Sequence, residues 1–131
     1  MPFAVHLDES TKVLHVQASG DVNDSALEDL NTRVRQNPSF VAGCPVLYDF
    51  SGVATVSVSW GLVYSLATNA RALKNRVAMI APNPVVFGLS RVYQALGDVE
   101  GDRIRVFTNG KDALGWLQNI ITSPIEELGE Q

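Results

Sequence analysis

The sequence predicts an α/β domain in which helices are packed on a mixed β-sheet. Three observations carry this prediction. An alternating apolar pattern near the start indicates a β-hairpin, later nearly all-apolar runs are typical of strands covered on both faces, and amphipathic helical patterns separate those runs. The predicted order is β-β-α-β-α-β-α-β-α. Because helices alternate with the later strands, we expect those strands to be parallel.

The first two strands and the first helix follow from local spacing. Apolar residues alternate on both sides of the polar turn DEST, at Phe3, Val5, Leu7, Leu14, Val16 and Ala18. Ser25 stands three residues before Glu28, which is the spacing of a capping box. The first helix is therefore predicted from Ser25 to about Gln36.

The middle of the chain repeats a strand and a helix. The run PVLYDF is bounded by Pro45 and by Ser51-Gly52, which predicts a short buried third strand. Helical spacing then predicts a second helix from about Val58 to Lys74. Its expected buried stripe consists of Leu62, Leu66, Ala70 and Leu73.

The last part of the chain contains two more strands and two more helices. The segments RVAMIA and RIRVF predict the fourth and fifth strands, and Gly97 is expected to end the third helix. The buried stripe of that helix is predicted to be Val85, Leu89, Val92 and Leu96. Asn109 and Asp112 open a fourth helix, so residues 1–121 are predicted to form a single domain and residues 122–131 a polar tail.

Composition narrows the class of function. The chain has 131 residues, 46% of them hydrophobic, with a net charge of -4 and scattered basic residues, which argues against nucleic-acid binding. Its start lacks the pattern of a secretory signal, and no apolar run is long enough to span a membrane. The lone cysteine, Cys44, precludes an internal disulfide and is interpreted as a small semi-buried thiol. We therefore expect a soluble cytoplasmic protein.

Signals for catalysis are weak. The sequence contains no G-x-S-x-G, H-E-x-x-H or P-loop motif and no Cys/His cluster with metal-ligand spacing, so neither an enzyme nor a cofactor or metal is predicted. His6 and His15 fall on the polar phase of their strands and are interpreted as surface residues.

Polar residues follow three predicted strands and form the first candidate site. Asp49, Ser51, Asn83 and Asn109 would lie at the carboxyl ends of these strands, where open α/β sheets usually bind ligands. Turn formation and helix capping explain the same residues equally well. A minor enzyme using this rim is the third of three functional hypotheses.

The second candidate site is the start of the second helix. Trp60 and Tyr64 are one turn apart in the unusually apolar segment WGLVYSLA. Such a stripe either fills a core, forms a partner surface or lines an apolar pocket.

Three segments carry a family resemblance that covers nearly the whole chain. They are VLYDFSGVATVS, NRVAMIAPNPVVFGLSRVYQALG and IRVFTNGKDALGWL. In element order and hydrophobic pattern they resemble the STAS domain of bacterial anti-sigma-factor antagonists. The chain is more similar to the uncharacterised STAS-like family grouped with CRAL-TRIO-type lipid-binding domains.

The resemblance implies a possible phosphorylation site. The antagonists carry a D-S-S-G-type segment in which one serine is phosphorylated to switch partner binding. Ser59 falls at the modified serine and Ser57 at the aspartate, while Trp60 replaces the glycine and Gly61 follows it. The motif is therefore degenerate. Ser57 and Ser59 also precede a helix, so capping of its exposed N–H groups explains both residues without any modification.

Two further functional hypotheses stand beside the hypothesis of a minor enzyme. In the first, a non-enzymatic STAS-like module presents the second helix to a protein partner, including a second copy of itself. In the second, which the lipid-binding relatives imply, a small apolar or lipid-like ligand is held between the helices and the sheet. Outward-facing Trp60 and Tyr64 favour a partner, and inward-facing ones favour a ligand.

Overall fold

The computed structural model describes residues 3–41 and 43–122, so the predicted tail beyond residue 122 lies outside the described residues. This part of the chain forms five strands and four helices, which confirms the predicted α/β class and the order β-β-α-β-α-β-α-β-α. The elements are β1 (Phe3–Asp8), β2 (Val13–Asn23), α1 (Asp24–Gln36), β3 (Val46–Ser57), α2 (Trp60–Ala70), β4 (Val77–Ile80), α3 (Pro84–Gly97), β5 (Ile104–Phe107) and α4 (Gly110–Thr122).

The strands lie side by side in chain order. β1 is antiparallel to β2, whereas β2, β3, β4 and β5 are parallel to one another. Each connection between two parallel strands moves the chain one strand further in the same direction. Because such connections have the same handedness, their helices α1, α2 and α3 lie on the same face of the sheet. We call this the three-helix face, and we call the ends of the parallel strands the amino edge and the carboxyl edge of the sheet.

Two apolar clusters hold the helices to the sheet. On the three-helix face, buried strand residues such as Leu14 and Val46 cluster with Leu30 of α1 and Val86 of α3. On the opposite face, which we call the α4 face, α4 packs its buried residues on Val13, Leu47, Ala78 and Ile80. The strands in the middle of the sheet are therefore covered on both faces, as their apolar runs predict.

β3 is longer than predicted. It does not stop at Ser51-Gly52 but continues to Ser57, because its second half pairs with the second half of β2. Gly52 lies opposite Ser19, and a Cβ atom added to Gly52 would lie 2.9 Å from the Cβ atom of Ser19. The glycine that looks like a turn signal thus allows a close approach of two strands.

Helix boundaries also differ from the predictions. The N-cap of α1 is Asn23, whose Oδ1 accepts from Ala26 N–H at 2.9 Å, so Ser25 is not the cap. α2 begins at Trp60 rather than Val58. It ends at Ala70 rather than Lys74, because the next residues bond three positions back and tighten the chain into turns.

The buried faces of α2 and α3 are shifted from the predicted stripes. The buried residues are Val63, Ala67 and Ala70 on α2, and Val86, Ser90 and Gly97 on α3. The two helices pack on each other as well as over the sheet. A Cβ atom on Gly97 would lie 3.1 Å from Ala67 O, so this glycine permits close helix packing. Because both helices are apolar on more than one side, periodicity alone does not identify the buried face.

Polar side chains join the loops at the amino edge. The Asp98 carboxylate accepts from the backbone N–H groups of Gly101, Arg103 and Ile104 at 2.9 to 3.1 Å. Arg103 donates to the carbonyl oxygens of Leu73 and Gly97 at 2.8 and 3.1 Å. These contacts fasten the start of β5 to the ends of α2 and α3.

Asp98 makes the stability of the fold depend on pH. Burial alone would raise the pKa of this carboxyl group, but three backbone N–H groups and Arg103 lower it below its ordinary value. A carboxylate with a lowered pKa stabilises the folded state above the pKa of the unfolded chain, about 4, and this contribution is lost as the pH falls through the lower folded value.

We expect Asp98→Asn to lower the free energy of unfolding by about 3 kcal/mol at pH 7, because an amide leaves backbone donors without their charged acceptor. The difference in the free energy of unfolding between this variant and the unmodified protein should become smaller below about pH 4, where Asp98 becomes protonated. Urea unfolding at pH 7 and at pH 3 measures both quantities. The control is Asp102→Asn, an exposed carboxylate in the same loop. Equal effects of the two variants, or a difference independent of pH, would contradict this account.

Candidate functional site

The three-helix face is incompletely filled. A cavity of about 110 Å³ lies over β3, with α1 on one side and the α2–α3 pair on the other. Its wall is mainly apolar and includes Val22, Leu27, Phe50, Val53, Val63 and Val86. α1 packs on β1 and β2 while α2 packs mainly on α3, and this arrangement leaves the space between them. A closed cavity of about 150 Å³ accepts benzene. This smaller space is partly open, so it has room for a ring of that size.

Four polar side chains interrupt the apolar wall of the cavity: Asn31, Tyr48, Ser90 and Tyr93. Among the hydrogen bonds of the described residues, none involves these four side chains, although Ser90 is only 4% exposed. Burial raises the pKa of both Tyr48 and Tyr93, and the neighbouring Tyr93 raises that of Tyr48 further. Both phenols therefore stay protonated at neutral pH and can donate hydrogen bonds.

The cavity has a polar half and an apolar half. β3 runs toward the carboxyl edge, whereas α1 and α3 run back from it, so Tyr48, Tyr93 and Asn31 lie nearer the amino edge. Val53 and Val63 lie nearer the carboxyl edge. The arrangement suits a small molecule with one polar end.

Ser59 has a structural role at the start of α2. Its Oγ accepts from Leu62 N–H at 3.2 Å, which makes it the N-cap of the helix. Its own N–H donates to Asp24 Oδ1 at 2.7 Å, so the start of α1 is tied to the start of α2. Ser57 is instead the last residue of β3 and is exposed.

Trp60 and Tyr64 face outward. Their exposed fractions are 66% and 58%, so the interpretation of this pair as core is wrong. The two side chains lie one turn apart on α2 and do not line the cavity. The expectation that their orientation alone separates a partner from a ligand is too simple, because other residues form the cavity.

The residues of the predicted rim have local roles. Asp49 lies within β3, and its Oδ1 accepts from Ser51 N–H at 2.9 Å. Asn83 caps α3 on the three-helix face, and Asn109 caps the start of α4 on the other face. In the described part of the chain, no hydrogen bond joins Asp49, Asn83 and Asn109 to one another.

His6 is exposed, as predicted, whereas His15 is less exposed than predicted. The rings of His6 and His15 stack across β1 and β2 with centroids 5.2 Å apart, and the side chain of His15 is only 21% exposed. Burial, helped by His6, lowers the pKa of His15, so this ring is neutral at pH 7. Its Nε2 lies 3.9 Å from Asp8 Oδ2, which is too far for a hydrogen bond. The surface interpretation of His15 is therefore wrong.

The remaining reactive groups show little chemistry. Cys44 is buried rather than semi-buried, and burial raises the pKa of its thiol, which disfavours a reactive thiolate. Within residues 3–41 and 43–122 no three His, Cys, Asp or Glu side chains are placed to hold a metal ion. The described helices include none that is both long and apolar enough to cross a bilayer.

Comparison with known proteins supports the fold. The chain is similar in structure to an uncharacterized protein of the DUF3478 family with a SpoIIAA-like fold from Shewanella loihica PV-4. The TM-score is 0.59, and the match covers 88% of this chain and 93% of the other at 17% sequence identity. No protein-family model matches the chain, and no curated protein matches it significantly.

The class that the comparison defines is the SpoIIAA-like, or STAS-like, α/β fold. The predicted resemblance is confirmed at the level of fold. A likeness at 17% identity extends to the fold alone, so function has to be argued from the site.

Sequence reasoning missed the polar residues of the cavity. Ser90 and Tyr93 lie on the buried stripe of α3, between Val86 and Gly97. A serine on the apolar stripe of a helix is a usable signal, but it is visible only when the stripe is assigned to the correct residues. The stripe predicted from Val85 and Leu89 excludes it.

We expect Ser59→Ala to lower the free energy of unfolding by about 1 kcal/mol, because the N–H of Leu62 loses its capping acceptor. Ser57→Ala is the matched control, and its effect should stay within about 0.5 kcal/mol because the side chain is exposed. Urea unfolding of the two variants measures the difference. A larger loss for Ser57→Ala would contradict the assigned roles.

Proposed function

We propose that this protein is a non-catalytic STAS-like binding domain that holds a small apolar or lipid-like ligand in the cavity on the three-helix face. The observation that supports this proposal is the cavity of about 110 Å³ with its mainly apolar wall. Moving an apolar molecule from water onto this wall removes apolar surface from contact with water, which is favourable. We infer a cytoplasmic location from the lone, buried Cys44 and the acidic composition.

The absence of catalysis is part of the proposal. Among the described residues that line the cavity, none is a His, Cys, Asp, Glu or Lys. Neutral phenols with raised pKa values, a hydroxyl and an amide suit hydrogen bonding to a bound molecule better than proton abstraction at neutral pH.

Filling the cavity should abolish ligand binding. We expect toluene to shift the NMR signals of cavity residues, and we expect Val86→Phe to weaken this binding at least tenfold, because the larger ring occupies the space. Val85→Phe adds the same ring to the neighbouring residue, which is 60% exposed, and should leave binding unchanged. Amide NMR titration of both variants makes the comparison and shows whether each is folded. If the unmodified protein binds neither toluene nor p-cresol, its hydroxylated analogue, the proposed function is overturned.

A second candidate function has its own observation. Exposed Trp60 and Tyr64 on adjacent turns of α2 form an aromatic surface suited to contact with a protein, including a second copy of this chain. A phosphate on Ser59 would add about -1.5 to -2 charges beside Trp60. It would also approach Asp24, the carboxylate bonded to Ser59 N–H. Modification there would thus change this surface strongly.

We expect the protein to self-associate through this surface and Trp60→Ala to weaken the association at least tenfold. Because Trp60 is 66% exposed, the variant should lose less than about 1 kcal/mol of stability. Sedimentation equilibrium measures the association, and urea unfolding measures the stability. Val99→Ala, which removes another exposed apolar side chain, is the control. A monomer at all concentrations would overturn self-association and leave the ligand proposal untouched.

A further inference from the structure

The polar groups of the cavity are available to a bound molecule. Ser90 is 4% exposed, and its hydroxyl has no hydrogen-bond partner among the described residues. Tyr48 and Tyr93 also line the cavity without a described partner.

These groups lie in the same half of the cavity. Ser90 and Tyr93 are three residues apart on α3, so their side chains project from the same side of that helix. Tyr48 and Tyr93 are close enough for the charge of one ring to influence the pKa of the other. Asn31 faces them from α1. Two phenols and a hydroxyl thus line a space whose other half is apolar.

Arg35 contributes positive charge to this polar half. It lies one turn beyond Asn31 on α1 and is exposed, and its charge lowers the pKa of both tyrosines against the stronger effect of burial. A nearby positive charge and neutral O–H donors together favour an oxygen atom that accepts hydrogen bonds.

We propose that the cavity selects a small amphipathic molecule about the size of a substituted benzene ring. A hydroxyl or carbonyl oxygen at one end is hydrogen-bonded by Tyr48, Tyr93 and Ser90, and the apolar body points toward the carboxyl edge. This proposal rests on the proposed function of ligand binding and adds the chemistry and the orientation of the ligand.

Two probes of the same shape test the proposal. Toluene and p-cresol differ by one hydroxyl group, so the ratio of their affinities isolates the oxygen. One net hydrogen bond contributes about 0.5 to 1.5 kcal/mol, so p-cresol should bind up to about tenfold more tightly than toluene. Amide NMR titration of the purified full chain gives both dissociation constants.

Substitutions of the three cavity residues test where the oxygen atom of the ligand binds. Tyr48→Phe, Tyr93→Phe and Ser90→Ala should each reduce the preference for p-cresol severalfold while the affinity for toluene stays nearly constant. Toluene binding thus shows that each variant is folded with its cavity intact. Tyr64→Phe removes an exposed phenol on α2 and should change neither affinity.

The outcomes separate the two proposals. If neither probe binds, the proposed function fails and this inference fails with it. If toluene binds as tightly as p-cresol, or if the preference for p-cresol survives all three cavity variants, the selection of an oxygen is wrong while ligand binding stands. If the preference for p-cresol is lost in the cavity variants and kept in Tyr64→Phe, the result supports both ligand binding and the selection of an oxygen atom.

Discussion

The covering of one sheet face by three crossover helices is the constraint on which the rest of the structure depends. Four parallel strands in chain order require α1, α2 and α3 on the same face. α1 packs on the hairpin side and α3 packs on α2 and β5, so the middle of the sheet lies under a gap. The cavity lies in this gap, and α4 covers the other face of the sheet.

Much of the fold could be predicted because the strands and helices carry strong local patterns. The alternation in β1 and β2 reflects burial mainly on one face. The continuous apolar runs in β3 and β4 reflect burial on two faces. The length of β3 could not be predicted, because it depends on pairing with β2 far away in the sequence. The local sequence around Gly52 predicts a turn, whereas the structure shows that this glycine is required by the pairing of β3 with β2.

The candidate site was harder to predict, for a physical reason. A cavity is a property of what several elements leave unfilled, and no single segment encodes it. α2 and α3 are apolar on more than one side, so the pattern did not show that Trp60 is exposed or that Ser90 is buried. The sequence allows Ser59 to cap the second helix, and the structure places it at that N-cap. Its bond to Asp24 joins residues 35 positions apart and lies beyond any local motif.

The polar contacts of α2 and α3 are placed unevenly around the cavity. At the amino edge, Arg71 Nε donates to Leu96 O at 2.7 Å, and Arg103 joins the loops after both helices. At the carboxyl edge, the contact described between α1 and α2 is the single hydrogen bond from Ser59 N–H to Asp24. The amino-edge contacts join α2 to α3 and do not reach α1, so among the described hydrogen bonds the one from Ser59 N–H is the link between this helix pair and α1. Loss of that one bond would free the start of α2 from α1 without disturbing the contacts that hold α2 and α3 together.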